Sequence, residues 1–352
     1  MALILAINPG STSTKIAVYE NEKCLWKDSI EHSYEEMAAY KDIYEQYPMR
    51  VKIIKEFLKK HGTSEDKLSA IVGRGGPATD FKSGAYRMNK ELADLMVTNP
   101  INNHVSLLGG IIAFNMAEEL GIPSFIYDPV SINEFPEIAK ISGLKGIERK
   151  SAGHFLNIRA GGRKVATEIG KDFNDVTLLA AHLGGGITVA ILHKGKVIDL
   201  ISDDEGPMSP ERTGGLPLRQ VIDLAEKYDK KTLNRIIRGD GGVVSYLGIT
   251  DMREVEKRIE AGDKEAKLIF DAMVYQVSNW LSYLAPIVNG KIDGIFLTGG
   301  IAYSERFTNA VKEKLNFLGP VFIVPGENEL ESLALGALRV LRGEEEANIY
   351  KD

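Results

Sequence analysis

The sequence predicts an α/β protein built from two halves of similar design. Three observations support this prediction: a glycine- and hydroxyl-rich hairpin at the start of the chain, a second glycine-turned hairpin near its middle, and alternating strand and helix patterns in both halves. At 352 residues, the chain is long enough for two domains that each bury a core.

The first hairpin is predicted from two short apolar runs, residues 3–7 and 16–19. The residues between them, 8–15, are Asn-Pro-Gly-Ser-Thr-Ser-Thr-Lys. Gly10 lets the backbone approach an anion closely, the hydroxyl groups donate hydrogen bonds, and Lys15 adds a positive charge. The turn is therefore predicted to hold a phosphate group, with an ordinary polar hairpin turn as the alternative.

Helices and strands alternate through the rest of the first half. Apolar side chains at helical spacing predict a helix over 45–61, followed by a strand over 68–73. A helix over 107–120 and a strand over 124–127 come next. Arg74 and Asp128 directly follow the two strands, and binding residues of open α/β sheets collect at such carboxyl ends.

The second half repeats the hairpin and adds a glycine turn. Strands are predicted over 177–181, 187–192 and 197–201, and the first turn contains three adjacent glycines that indicate close approach of a ligand. A strand over 294–297 leads through Thr298-Gly299-Gly300-Ile301 into a helix over 305–317. This turn could hold a flat nucleotide base or be only a tight connection. The apolar stripe over 263–284 predicts a core helix.

Composition excludes several classes of function. The net charge is −6 and the basic residues are scattered, which argues against a nucleic-acid surface. The single cysteine, Cys24, excludes an intrachain disulfide and is expected to be a partly buried thiol. No apolar run approaches the ~20 residues of a membrane span, and the start of the chain lacks export features, so a cytoplasmic location is expected. Residues 344–346, all glutamate, are expected to form a solvated helix end.

The paired hairpins and the Gly299-Gly300 turn resemble those of the actin-like ATPase superfamily, which includes sugar kinases and acetate kinases. Residues 8–15, 181–186 and 210–214 narrow the resemblance to the acetokinase family, closest to its butyrate kinase branch. The resemblance covers nearly the whole chain. It implies two actin-like, ribonuclease H-like domains, each a mixed β-sheet flanked by helices, with an active-site cleft between them. The expected domains are 1–149 with 330–352, and 150–329.

The chemistry implied by the resemblance is direct transfer of a phosphoryl group between ATP and a carboxylate, with Mg²⁺. Butyrate and ATP would give butanoyl phosphate and ADP, and isobutyrate, propionate and acetate are alternative acids. Such transfer needs positioned cations and donors more than a protein nucleophile. An actin-like ATPase switch without a small acceptor is the alternative of a different class, and a sugar kinase is a weaker one. The resemblance also implies a homodimer or larger homo-oligomer.

Roles follow at the positions that match the family's motifs. Phosphate and substrate contacts are implied for Asn8, Ser11, Ser13, Lys15, Gly73, Gly184, Gly185 and Gly186. Catalytic roles are implied for Arg212, His182, Asp128 and Arg74, because a guanidinium can bind two oxygens and an imidazole can stabilise developing charge. A surface ion pair is the alternative for Arg212, and a core histidine the alternative for His182.

Nucleotide and metal contacts are implied in the same way. Adenosine contacts are implied for Asp251, Met252, Arg253, Gly299, Gly300 and Ile301. Glu329 and Asp128 are implied to hold Mg²⁺, which prefers few protein carboxylates plus phosphate oxygens and water. For Glu329, a simple acidic residue at a helix N-terminus is the alternative.

Two departures from the family bear on function. Acetate kinases carry a branched apolar side chain, lining the acyl pocket, where this chain has Gly73, so extra room for a longer acid is predicted. Each buried methylene is worth ~0.8 kcal/mol. Gly73→Val is accordingly expected to lose butyrate more than acetate. A family histidine just upstream of the position of His154 is absent, with Lys150 or Ser151 nearby.

Overall fold

A seven-stranded and a five-stranded sheet organise the part of the chain described by the computed structural model, residues 1–101 and 103–351. The chain divides into two compact units. Unit 1 is Met1–Asn133 with Asn328–Asp352, and unit 2 is Glu134–Glu327. Each sheet contains both parallel and antiparallel pairs and is flanked by helices. The predicted α/β class with two mixed sheets is therefore confirmed.

The sheet of unit 1 is an antiparallel meander extended by parallel strands. Its strands are β1 Leu3–Pro9, β2 Ser13–Glu20, β3 Lys23–Glu31, β4 Ala70–Arg74, β5 Ala85–Arg87, β6 Ser124–Tyr127 and β12 Asn348–Ile349. Their order across the sheet is β12-β5-β6-β4-β1-β2-β3. Strand β1 pairs antiparallel with β2 and parallel with β4, so Ile7 lies between Ile16 and Gly73.

Helices cover both faces of this sheet. They are α1 Tyr34–Ala38, α2 Tyr47–Lys60, α3 Lys90–Thr98, α4 Leu107–Leu120 and α13 Glu329–Leu341, with short 3₁₀ turns at Ile43–Gln46 and Glu65–Lys67. Alternate strand residues such as Leu5 and Ile7 share a core with α2 and α4. The intervening residues, such as Ile4 and Ala6, are also fully buried, and α13 packs against β1, β2, β4 and β6. Strands buried on both faces read as continuous apolar runs, as the sequence does here.

The sheet of unit 2 repeats the order of five of the seven strands of unit 1. Its strands are β7 Thr177–Leu183, β8 Ile187–His193, β9 Lys196–Ile201, β10 Gly294–Gly299 and β11 Val321–Pro325, in the order β11-β10-β7-β8-β9. In both units, three antiparallel strands form a meander and two parallel strands lie beside the first of them. This shared order confirms the internal repeat that the two glycine-turned hairpins predict.

Two of the helices in unit 2 pack against several strands of its sheet. The helices of this unit are α5 Glu137–Lys140, α6 Phe155–Glu168, α7 Leu218–Lys227, α8 Lys230–Ile237, α9 Val243–Leu247, α10 Met252–Glu260, α11 Lys264–Leu284 and α12 Glu305–Leu315, with 3₁₀ turns at Phe173–Asp175, Ala285–Val288 and Gly300–Tyr303. Helix α6 packs against all five strands, and α11 packs against β7, β8 and β9. The predicted apolar stripe of α11 lies in the core, as expected for a helix with this spacing.

Two expectations about surface residues are wrong. Cys24 is exposed rather than partly buried, because it lies on the edge strand β3, none of whose residues is buried. Glu345 is not simply solvated. Its carboxylate accepts hydrogen bonds from the Tyr127 hydroxyl at 2.8 Å and the Ala85 nitrogen at 3.1 Å, so the acidic segment is anchored by contacts distant in sequence.

No helix in the described ranges, 1–101 and 103–351, combines the length and apolar character that crossing a membrane requires.

Candidate active site

The first hairpin forms a tight turn at the end of β1. Asn8 pairs with Lys15 and Pro9 with Thr14, and the Gly10 nitrogen donates a hydrogen bond to the Ser13 carbonyl oxygen at 2.8 Å. A Cβ on Gly10 would lie 2.8 Å from the Ser13 hydroxyl oxygen, so glycine leaves room for that side chain. The Ser11 side chain is exposed beside it. The turn thus presents two hydroxyl groups close to its backbone.

Three residues that are far apart in sequence meet beside this hairpin. The Asn8 side-chain amide donates a hydrogen bond to Glu329 Oε2, and Arg74 Nη1 lies 3.3 Å from Glu329 Oε1. Arg74 is 6% exposed, and the Glu329 side chain 17%. The parallel strands β1 and β4 end at the same edge of the sheet, and α13 begins there. We call Asn8, Arg74 and Glu329 the edge cluster.

Asp128 follows β6, the next strand along this edge. It is buried, its φ is +42°, and its Oδ1 accepts a hydrogen bond from the Gly84 nitrogen at 2.7 Å. A positive φ is uncommon outside glycine, although aspartate tolerates it better than most residues. Backbone strain of this kind concentrates at functional sites. Asp128 therefore remains a candidate, with one carboxylate oxygen already holding the backbone at Gly84.

Gly73 does not border open space. A Cβ there would lie 2.8 Å from the Gly110 nitrogen and closer still to the Gly109 carbonyl group, both in α4. A Cβ on Gly109 would in turn lie 2.6 Å from the Arg74 carbonyl oxygen. These glycines allow β4 and α4 to pack backbone against backbone. The prediction that Gly73 enlarges an acyl pocket is wrong, because the space that a side chain would occupy is filled by a helix.

The second hairpin turns through Gly184, Gly185 and Gly186. The Gly185 carbonyl oxygen accepts hydrogen bonds from the Ser209 hydroxyl at 2.5 Å and the Glu211 nitrogen at 3.2 Å. A Cβ on Gly186 would lie 2.5 Å from Asp203 Oδ2. The absence of a side chain at Gly186 therefore lets Asp203 pack directly against the turn.

His182 stacks on a second histidine that the sequence analysis left without a role. The rings of His154 and His182 are 4.1 Å apart at an angle of 17°, and His154 Nδ1 lies 2.8 Å from the Thr188 hydroxyl oxygen. His182 is 2% exposed. The stack fixes the plane of the His182 ring. Strand pairing places Thr188 opposite His182, a tertiary relation that no local pattern around His154 reveals.

Arg212 is held by Asp203 at the same turn. Arg212 Nε donates to Asp203 Oδ2 at 3.0 Å, and the Arg212 side chain is 25% exposed. Among the described residues, Arg212 makes this hydrogen bond through Nε alone. Its two terminal amino groups form the fork that binds paired oxygens. Residues 212 and 238 also form an isolated antiparallel bridge, which fixes the backbone at Arg212.

Three of the six residues predicted to contact adenosine, 251–253, have different environments. Asp251 caps α10, accepting hydrogen bonds from the Arg253 nitrogen at 2.9 Å and from its guanidinium at 2.7 Å. The Arg253 side chain is 87% exposed. Met252, by contrast, is buried in the core of unit 2. Helix α10 directs the Met252 side chain inward, so Asp251 and Arg253 are the members of this triplet whose side chains reach solvent.

In the Gly299-Gly300 turn, the backbone requires glycine at position 299, whereas Gly300 borders open space. Gly299 has a φ of +91°, and a Cβ on it would lie 2.8 Å from the Leu183 nitrogen. At Gly300 a Cβ would meet nothing within 4 Å. Ile301 is largely buried in the core. Of the two glycines, Gly300 is therefore the one that leaves space for a flat ligand.

The carboxylates suited to a metal ion lie in the edge cluster and directly beside it. No group of three or more histidine, cysteine, aspartate or glutamate side chains suited to a metal occurs within residues 1–101 and 103–351. Asn8 turns its amide N–H toward Glu329, and the hard oxygen atoms at this edge of the sheet belong to the carboxylates of Glu329 and Asp128. Magnesium needs few protein ligands when phosphate oxygens and water complete its shell, so this pair fits the ion.

Comparisons with known proteins agree with this architecture. A model of the acetokinase family matches residues 153–333. A protein of Listeria monocytogenes serotype 4b, named "Probable butyrate kinase", is 44% identical over 99% of both chains. The crystal structure of acetate kinase from Porphyromonas gingivalis has a TM-score of 0.78 at 19% identity, covering 94% of this chain and 98% of that one. A propionate kinase structure from Francisella tularensis has a TM-score of 0.73 at 18% identity, covering 96% and 99%.

Proposed function

Because this chain belongs to the acetokinase family, we propose that it transfers the terminal phosphoryl group of ATP to a short-chain fatty acid, with butyrate as the preferred acid. The observation that carries the proposal is the edge cluster, in which a cation, a carboxylate and an amide from distant segments meet beside the phosphate-type hairpin. The name of the Listeria relative supports butyrate. We also propose that the two actin-like domains expected at 1–149 with 330–352 and at 150–329 correspond to the two compact units, in which unit 1 ends at Asn133 and resumes at Asn328.

The reaction needs no protein nucleophile. A carboxylate oxygen of the acid attacks the terminal phosphorus of ATP, a new P–O bond forms, and the bond to ADP breaks with its electron pair leaving on ADP. Charge on the transferred group must be neutralised throughout. In this proposal Arg212 and Arg74 supply that neutralisation, His182 donates to a phosphoryl oxygen, and the amides of both glycine turns hold phosphate oxygens. Ser11, Ser13 and Lys15 contact the group from the first hairpin, and Asp128 orients the acid.

Magnesium would be held by Glu329 and Asp128. When bound together with the nucleotide, the ion would neutralise phosphate charge. Arg74 lies next to Glu329 and would keep this carboxylate oriented. In unit 2, Gly300 offers open backbone and Arg253 an exposed guanidinium, and both fit an adenine base.

Replacing Glu329 with glutamine should raise the Mg²⁺ concentration needed for half-maximal activity by about tenfold, because a neutral amide binds the ion more weakly than a carboxylate. Mg²⁺ titration of the acyl phosphate assay measures this. Glu305→Gln is the matched control, since Glu305 also begins a helix but lies in unit 2 on α12. An equal effect of both variants would show that Glu329 acts only as an acidic residue at a helix N-terminus.

Trapping the acyl phosphate tests the reaction itself. With ATP, Mg²⁺, hydroxylamine and a series of acetate, propionate, butyrate and isobutyrate, we expect hydroxamate formation with the highest kcat/KM for butyrate. ATP consumption without hydroxamate from any acid would favour the ATPase switch and refute the kinase. A highest kcat/KM for acetate would leave the kinase but refute the butyrate preference.

A further inference from the structure

Arg50, on α2, reaches the back of the first hairpin. Its side chain is fully buried. Nη1 donates to the Ser13 carbonyl oxygen at 2.8 Å and the Thr14 hydroxyl at 2.9 Å, and Nη2 donates to the Gly10 carbonyl oxygen at 2.8 Å. Gln46 Oε1 accepts from Nη2 at 2.8 Å and from Nε at 3.1 Å. One guanidinium thus ties a helix to both ends of the turn.

We propose that Arg50 is a positioning residue for phosphoryl transfer, which fixes the first hairpin in the conformation that receives phosphate. This inference rests on the proposed function. The N–H and C=O groups of one trans peptide unit point in opposite directions. Holding the Gly10 carbonyl against Arg50 therefore directs the Ser11 N–H to the other side of the turn, where the Ser11 hydroxyl is exposed. Converging donors of this kind form an anion site.

The charge of Arg50 adds to this effect. Its hydrogen-bond acceptors are two carbonyl oxygens, a hydroxyl and an amide, all of which are neutral. Burial lowers the pKa of Arg50 to about 10, so the group still carries a positive charge at neutral pH. A buried charge is retained only when it is well hydrogen-bonded. The result is a positive potential beneath the turn, which favours a phosphate on its outer side.

A second network supports the same turn. The Thr14 hydroxyl lies 2.9 Å from His32 Nε2, and the Thr12 carbonyl oxygen accepts from the His32 nitrogen at 2.8 Å. Since a hydroxyl has a single proton, Thr14 accepts from Arg50 and can donate to His32. The turn is therefore held from two directions by groups that do not themselves face its outer side.

The test compares Arg50→Lys with Arg339→Lys. Lysine keeps the charge but cannot reach the separate acceptors of the guanidinium fork. We expect Arg50→Lys to lower kcat for butanoyl hydroxamate formation by roughly 30-fold to 100-fold, with KM for butyrate within about threefold of wild type. Amide hydrogen exchange in residues 9–15 should become faster. Arg339 is a matched arginine of unit 1, bonded to Tyr127 and Glu345 away from the hairpin, and its variant should keep kcat.

Each outcome decides the proposal. Normal kcat in a folded Arg50→Lys enzyme, or an equal loss in Arg339→Lys, would overturn it. If Arg50→Lys does not fold, Gln46→Met loosens the same guanidinium while keeping its charge, and a lowered kcat there supports the proposal. Failure of both to fold would show a purely structural role. A wild-type enzyme that forms no hydroxamate would refute the proposed function, whereas unchanged exchange in residues 9–15 would refute the positioning role alone.

Discussion

Replacing Arg212 with alanine should lower kcat for acyl phosphate formation by about 1,000-fold. A guanidinium aimed at a transferring phosphoryl group stabilises charge that appears only in the transition state, so kcat falls more than KM rises. The Arg212 side chain is only partly buried, and the one side-chain hydrogen bond that it makes within residues 1–101 and 103–351 is to Asp203, so the fold should tolerate its removal. Steady-state kinetics of the hydroxamate assay, with circular dichroism to confirm folding, measure this.

Arg238→Ala is the matched control. Arg238 bridges to residue 212 and pairs with Asp204, as Arg212 pairs with Asp203, but its side chain is 52% exposed. Exposed ion pairs contribute little to stability or activity, and this variant should keep kcat within about threefold of wild type. Arg212→Lys should be intermediate, because lysine keeps the charge without the fork. If Arg212→Ala and Arg238→Ala behave alike, Arg212 is a surface ion pair and has no catalytic role.

Gly73→Val should prevent stable folding of unit 1, or lower its free energy of unfolding by at least about 4 kcal/mol. The added side chain would collide with the backbone of α4 at Gly109 and Gly110, and a helix backbone cannot move aside as a flexible side chain can. The helix would have to leave the strand, which would expose Leu108 and Ile112 of the core. Urea unfolding followed by fluorescence and circular dichroism measures the loss.

Gly143→Ala is the control for this experiment. A Cβ at Gly143 would meet nothing within 4 Å, and a glycine in an ordinary backbone conformation can be replaced at little cost. A folded Gly73→Val enzyme of normal stability that disfavours butyrate would contradict the packing described here and restore the acyl-pocket role. We expect instead that Gly73 makes no contribution to the choice of acid.

Gly73 shows which features of this protein the family resemblance predicted and which it did not. Matching the family's motif placed Gly73 correctly, beside Arg74 at the end of β4. The motif contained no information about α4, the helix that faces Gly73. The same holds for Met252, which lies next to the helix cap Asp251 yet points into the core. Position along the chain follows from sequence, whereas the direction of a side chain depends on what packs against it.

The missed residues share one physical cause. Both residues contact partners that are distant along the chain. Arg50 bonds to Gly10 and Ser13, and His154 contacts Thr188 and His182. The apolar stripe of α2 predicted its buried face well, since Ile54 and Leu58 lie in the core. It gave no reason to expect a fully buried cation on the same helix, because such burial is favourable only with acceptors that the fold supplies.

Local sequence patterns predicted several helices and strands of this protein and the hairpin that its two units repeat. Apolar periods, glycine turns and the ends of strands are set by interactions between near neighbours, and they predicted both hairpins, α4 and β6 closely. Only the tertiary structure brought Asn8, Arg74 and Glu329 together, closed β4 onto α4 and buried Arg50 behind its turn. Such contacts depend on which distant segments share an edge or a face, and that is decided by the packing of the whole unit.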